Sequence, residues 1–393
     1  MLLTNQNLEK IRQSPTVAMA DKVLSLKAQG VSIIGLQTGD PDFATHPAII
    51  KVAMDQINSG KTHYGPSQGF PHVRKAIASK LARDNNLEYD SATEIILTHG
   101  GIHAIYIGLQ SIINPGDEFI IPDPTWATHA NMSTLLGGKA VRVSAPAENG
   151  FLPSLEAWEK AVTPQTRGII INYPSNPTGV YPKIEYLEAL VDLCTKHDLY
   201  ILSDEVYENL YYGEHPVSIA TIKGARERTL VINSLSKTYA MTGWRVGYLC
   251  GPKNLIQNCL KASQHSITCV APFIQEAAGF ALSEPAMHQF AAEMRAKYSE
   301  RRDIVLRVAN NIHGERLKTI APMGAFYYFL DFRGLGMDDT IICDKLLSEA
   351  GVGTVAGSAF GKMGEGFIRM TIAASNQEVE EGFSKIVDWV NKQ

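Results

Sequence analysis

Ser234, Ser236, Lys237 and Arg245 have the types and the spacing to hold an anion beside an amine. The run 229–233 reads as a strand, and the two serines and the lysine follow at its end. The arginine stands eight residues beyond the lysine, after a Thr242-Gly243 turn. Hydroxyls and a guanidinium gathered around one amine suit a phosphorylated aldehyde held as a Schiff base on Lys237. Taken alone, the stretch is equally a strand end with an ordinary surface lysine.

Four further stretches bear on that choice. Thr98-His99-Gly100-Gly101-Ile102 lies between a strand pattern and a helix pattern, where glycines let backbone N–H groups approach a phosphate at the positive end of the helix. A tight turn needs glycine there in any case. Leu202-Ser203-Asp204-Glu205-Val206-Tyr207 puts Asp204 at the C-terminal edge of an apolar strand, where α/β sheets bind ligands. A buried acid at that edge keeps a pyridine nitrogen protonated, with Tyr207 in reach of the ring's oxygen; a helix cap is the plainer account. Asn176, in Asn172-Tyr173-Pro174-Ser175-Asn176-Pro177, is held extended by the following proline with its amide free to donate, unless it is a simple turn. Arg369 interrupts the apolar run Gly366-Phe367-Ile368-Arg369-Met370-Thr371-Ile372, where a guanidinium seeks a planar anion: a substrate carboxylate, or a structural salt bridge.

Composition narrows the classes. The chain has 393 residues, 45% hydrophobic and 19% charged, with a formal net charge of -4. That length favours two domains, and that charge gives no reason to expect nucleic acid or an anionic membrane surface. No apolar run reaches bilayer length, and no basic-then-apolar leader opens at Met1. The five cysteines form no C-x-x-C pair and the eleven histidines no H-E-x-x-H, so neither a zinc site nor a disulfide framework is expected. A reducing cytoplasm is the expected setting, with no metal.

The elements that must position these residues alternate. Apolar runs at 94–98, 118–121, 140–143, 168–172, 200–203 and 229–233 read as strands, with helical patterns at 102–113, 127–136 and 184–197. Continuous apolar runs imply strands buried on both faces, hence an α/β fold with a mainly parallel sheet. A seventh run, 246–250, follows the lysine too closely for a crossover and is expected to be antiparallel. A long helix is expected from a Ser283 cap to about Gly314, and an amphipathic one over 377–390. The expected division is a large domain over 46–282 and a smaller α+β domain formed by 1–45 with 283–393.

Together these stretches resemble the class I aminotransferases, fold-type I enzymes that use pyridoxal 5′-phosphate. The likeness runs from Ser14-Pro15-Thr16 through Thr38-Gly39-Asp40-Pro41-Asp42-Phe43 and Tyr64-Gly65-Pro66-Ser67-Gln68-Gly69 to Gly357-Ser358-Ala359-Phe360-Gly361 and Arg369. It implies that Lys237 anchors the coenzyme and moves the proton at the substrate Cα. It implies that Asp204 meets the pyridine nitrogen, that Asn176 and Tyr207 meet the ring oxygen, and that Trp126 stacks on the ring. Gly100, Gly101 and Ile102 through their backbone, with Ser234 and Arg245, would hold the phosphate. Tyr64 would reach the neighbouring subunit's phosphate, so a homodimer with shared sites is implied. Arg369, with Asn176 and the Gly39 backbone, would bind the substrate carboxylate.

The chain departs from the aspartate-type pattern at two places. Position 102 carries a lysine in some such relatives and isoleucine here, and the segment 264–271 contains no lysine or arginine. A second substrate carboxylate would go unpaired, which is costly when buried. The expected donor is therefore neutral, aromatic or cationic, with pyruvate or 2-oxoglutarate as acceptor; the alternatives are aspartate transamination, or carbon–sulfur β-elimination on the same fold. A regulator's effector domain of this type would carry a DNA-binding module ahead of Ser14. The short leader and negative charge speak against it.

Overall fold

The structure, a computed structural model, describes residues 4–11 and 13–393; the opening Met1-Leu2-Leu3 of the leader lies outside them. Seven strands form one sheet in the spatial order Ile95–Thr98, Gly247–Cys250, Thr229–Ser234, Tyr200–Asp204, Thr166–Asn172, Glu118–Asp123, Lys139–Ser144. Gly247–Cys250 runs antiparallel to both its neighbours, and every other pairing is parallel. The antiparallel return follows from the short link after Ser234, which leaves no room for a crossover helix.

Side-chain alternation divides the strands between two apolar layers. Ile170, Leu202, Leu230 and Ile232 pack on one side with the helix Gly100–Gln110 and with Lys253–Ser266. Ile169, Ile171 and Ile201 pack on the other with Leu187, Leu190 and Val191 of Ile184–Lys196. The central strands are buried from Gly168, Ile201 and Thr229 to their carboxyl ends, whereas only Val143 is buried in the edge strand Lys139–Ser144. Its charged Lys139 and Arg142 discourage pairing with another edge.

Beyond the sheet, Val355–Ala356, Phe367–Thr371 and Tyr327–Asp331 form a three-stranded antiparallel sheet. Ile34–Gly35 pairs with Val352–Gly353, which ties the N-terminal part to the C-terminal part. Leu36, Tyr298, Val305, Phe326, Ile368, Met370, Phe383 and Ile386 share one core there.

The long helix differs from expectation at both ends. It spans Pro285–Ala309 with Glu284 as its N-cap, while Ser283 closes the preceding helix Pro272–Ser283. Pro285 takes the first helical position and forces Glu284 to an extended ψ of 125°, so the break falls there. The last helix, Asn376–Asn391, opens on a capping box between Ser375 and Glu378. No helix among the described residues is long and apolar enough to cross a membrane.

Candidate active site

Three adjacent parallel strands end side by side on Asn172, Asp204 and Ser234. Those ends form the floor of a cavity of about 230 Å³ at the carboxyl edge of the sheet. Ser234 caps the short helix Leu235–Thr238 by accepting from Ser236 N at 3.1 Å, and this turn carries Lys237. The Lys237 Nζ donates to the Gly39 carbonyl at 2.7 Å. No carboxylate lies within ion-pairing distance of it among the described residues. Burial, abetted by Arg369 and Arg245, lowers its pKa to about 8 against the opposing pull of Asp40 and Asp204.

Asp204 is 2% exposed and held on several sides. Its Oδ2 lies 3.1 Å from His129 Nε2, its Oδ1 accepts from Val206 N at 3.3 Å, and its carbonyl accepts from Asn172 Nδ2 at 2.9 Å. His129 Nδ1 lies 3.3 Å from the Thr125 hydroxyl, so the imidazole bridges Thr125 and Asp204. The helix Ala127–Leu135 brings this histidine under the acid, with Trp126 at its N-cap lying edge-on to the imidazole at 5.5 Å.

Arg369 enters from the three-stranded sheet and is 2% exposed with no acidic partner among the described residues. Its Nη1 donates to Asn176 Oδ1 at 3.1 Å and its Nη2 to the Gln37 carbonyl at 2.6 Å. The guanidinium is flanked by the Tyr327 ring at 4.5 Å and the Phe360 ring at 5.0 Å. Its Nε is buried without a partner. Because arginine only donates, Asn176 must turn its oxygen to Arg369, and the amide N–H₂ remains available. Tyr207 shares a 2.9 Å hydrogen bond with Tyr327, hydroxyl to hydroxyl, and burial raises its pKa well above the usual phenol value.

Another part of the cavity wall joins a glycine turn to an arginine. Gly101 and Ile102 begin the helix Gly100–Gln110, and Gly100 has a φ of +74°, which glycine adopts without strain. A Cβ on Gly100 would lie 2.8 Å from Arg245 Nη2, so the guanidinium rests directly against this turn. The Arg245 Nη1 donates to the Thr242 carbonyl at 2.7 Å. Ser234 Oγ has Ser236 Oγ at 2.8 Å and the Val246 carbonyl at 3.2 Å as acceptors for its single proton.

The cavity wall thus contains Gly39, Gly101, Ile102, Trp126, Asn176, Asp204, Tyr207, Ser234, Lys237, Arg245 and Arg369. Gly100 lies behind it. Tyr64 is the exception: it is 87% exposed and does not line the cavity of its own chain. Sequence reasoning missed Tyr327 and His129. Tyr327 sits in an unbroken aromatic run, Phe326-Tyr327-Tyr328, and His129 inside a helical pattern; neither had a turn or a strand end to mark it. Tyr327 also explains Gly39, since a Cβ there would fall 1.9 Å from the tyrosine oxygen.

Comparison with known proteins identifies the family. The family model of aminotransferase class I and II matches residues 31–386. Aspartate/prephenate aminotransferase of Thermus thermophilus is 38% identical over 384 residues, covering 97% of each chain. Aromatic-amino-acid aminotransferase 2 of Thermococcus litoralis is 39% identical over 361 residues, covering 91% of this chain and 92% of its own. The solved aspartate aminotransferase from Thermus thermophilus with maleate superposes with a TM-score of 0.93 at 36% identity, over 99% of this chain and all (100%) of the other. Aromatic aminotransferase from Pyrococcus horikoshii gives a TM-score of 0.89 at 38% identity, over 94% and 99% of the two chains. With a sheet, a lysine turn and a buried arginine of this kind, the chain belongs to the class I and II aminotransferase family and is a transaminase that uses pyridoxal 5′-phosphate.

Proposed function

We propose that this cavity moves an amino group from a neutral, aromatic or cationic L-amino acid to a 2-oxo acid such as pyruvate or 2-oxoglutarate. The observation that carries the reading is Arg369, a buried guanidinium that lines the cavity and has no acidic partner among the described residues. A carboxylate is the planar anion that such a guanidinium pairs with best. Both substrates carry that carboxylate, so donor and acceptor take turns at one clamp, which is ping-pong behaviour.

The residues present suit pyridoxal 5′-phosphate. Asp204 is the acid for its ring nitrogen, Asn176 and Tyr207 are the partners for its ring oxygen, and Trp126 is the stacking face. The Gly100, Gly101 and Ile102 backbone, Ser234 and Arg245 form the phosphate cup, a cradle in which a Cβ at position 100 would collide with the guanidinium. When bound, the coenzyme supplies a carbonyl carbon for an amine and a ring that accepts electron density. Lys237, its pKa held near 8 by burial (about 8), is the amine that takes the substrate Cα proton and returns it. His129 keeps Asp204 fixed, and Arg369 with Asn176 and the Gly39 backbone orients the substrate.

A homodimer with shared sites is part of the proposal. Tyr64 is useless to its own cavity, yet it stands beside the segment 264–271: Gln264 Nε2 donates to Ser67 Oγ at 3.0 Å, and Gly65 packs against Pro272. In the proposed dimer both pieces would face the cavity of a second copy, where Tyr64 of the partner subunit would complete the phosphate cup. The large domain is assigned to 46–282 and the small one to 1–45 with 283–393, supported by the core that joins Ile34 and Leu36 to the C-terminal residues. A cytoplasmic setting is proposed on the five free cysteines.

Donor choice rests on the rim. Ile102 is 42% exposed at the cavity mouth, where a second carboxylate would seek a cation. The names of the relatives favour a second reading, aspartate as donor. A panel of donors ranked by kcat/KM with pyruvate and 2-oxoglutarate decides between them: leading aspartate or glutamate overturns the first reading. Transamination by Lys237→Ala at the wild-type rate would overturn both.

A further inference from the structure

His103 lies one turn into the helix Gly100–Gln110, 9% exposed, behind the phosphate cup rather than in it. Its Nδ1 is 3.2 Å from the His99 backbone nitrogen and its Nε2 is 3.0 Å from Ser266 Oγ. A backbone N–H can only donate, so Nδ1 must present its lone pair and Nε2 must carry the proton. The Ser266 hydroxyl then has the Ala262 carbonyl as its acceptor at 3.0 Å. The result is a one-way chain: His99 N–H to the imidazole, imidazole to Ser266, Ser266 to the last turn of the helix Lys253–Ser266. Protonating the ring would set two donors face to face, and burial, with His99 beside it, keeps the ring neutral by lowering its pKa to about 4.

The captured N–H belongs to the residue that enters Gly100, whose left-handed φ of +74° turns the next peptides toward the cavity. The first N–H groups of a helix have no partner within it and are open to an anion, so the conformation of the entering turn sets where they point. Without the imidazole the His99 N–H would be an unpaired donor in a half-buried site, and relaxing it would rotate the turn against Arg245.

We propose that His103 is the positioning residue of the phosphate cup, fixing the His99–Ile102 turn by anchoring it on Ser266. This rests on the reading of Gly100–Ile102 and Arg245 as the phosphate site. The test compares wild type with H103L, H103Q, S266A and R245A. Coenzyme affinity is measured on the apoenzyme by quenching of tryptophan fluorescence, alongside apoenzyme Tm and donor KM and kcat at saturating coenzyme. H103L should weaken pyridoxal phosphate binding about threefold to tenfold, the scale of one lost hydrogen bond, with kcat at saturation near wild type. H103Q, which keeps an acceptor and a donor, should restore most of the affinity. S266A, at an exposed position, should weaken binding about threefold and keeps the test open if H103L fails to fold. Unchanged affinity in H103L, or in S266A where H103L does not fold, overturns the inference, as does H103Q behaving like H103L. If R245A alone loses affinity, the phosphate site stands without His103; if R245A also binds normally, the phosphate reading itself falls.

Discussion

The floor of the cavity and its rim are built on different terms. On the floor, Asp204 and Arg369 are buried and each is fixed by two or more partners, His129 and Asn172 for one, Asn176 and Gln37 for the other. The side chains there are held in one geometry by strand ends and by aromatic rings. On the rim, Ile102 is 42% exposed and its side chain offers no polar group. A preorganised floor suits a reaction that is the same for every donor, whereas an open rim leaves side-chain choice to residues that change without disturbing the sheet.

Removing the floor's amine should have the largest effect. Lys237→Ala is expected to lower kcat by about 10⁴-fold or more, read as a single-turnover half-reaction. A loss confined to tenfold would mean another base does the work. Arg369→Leu should come next, with kcat/KM falling about a hundredfold, mostly through KM, for donors and acceptors alike. A fall in kcat at constant KM would remove the carboxylate clamp from the picture. His129→Leu leaves Asp204 without its fixed donor and is expected to cost about tenfold in kcat, whereas Thr125→Val, one bond further out, should cost less.

The pH response follows from the free amine of the coenzyme-free chain. Burial disfavours its charged form, so the neutral, nucleophilic form dominates above the pKa of about 8 and falls about tenfold per pH unit below it. Acylation of Lys237 in the apoenzyme, followed by mass spectrometry, should rise with pH and level off above about 8. A plateau reached only above pH 10 would show an ordinary lysine. The smallest change is expected at the rim. Ile102→Lys should raise kcat/KM for aspartate about threefold to tenfold and leave alanine-like donors little altered, because a partly exposed ion pair is weak. An equal change for all donors would show that position 102 acts on the floor instead.

The parts of the site that were legible in the sequence share a local cause. Lys237, Asp204, Asn176 and Gly100 all stand where an apolar run stops, and the end of a strand in a parallel sheet is marked by the composition on either side of it. The seven strands were legible for the same reason, and the antiparallel run at 246–250 was betrayed by the shortness of its link. The cap of the long helix was misplaced by one residue because Ser283 and Glu284 both precede Pro285, and only the backbone shows that Ser283 ends the helix before it. Tyr327 and His129 gave no signal. Each gains its role from a partner far away in the chain, Tyr207 for one and Asp204 for the other.

The sequence by itself determined the chemistry: strand ends bearing a lysine, an acid, an amide and an anion cup, and a lone arginine in an apolar strand. Local pattern is enough for that, since hydrophobic period and turn residues are set by neighbours in the chain. Only the tertiary structure set aside a structural salt bridge for Arg369. It folds residues from separate parts of the chain around the guanidinium and brings no carboxylate to it among the described residues, which depends on long-range packing that no local pattern encodes. It also decided that Tyr64 points away from its own cavity, a matter of where the loop lies on the folded surface rather than of its residues.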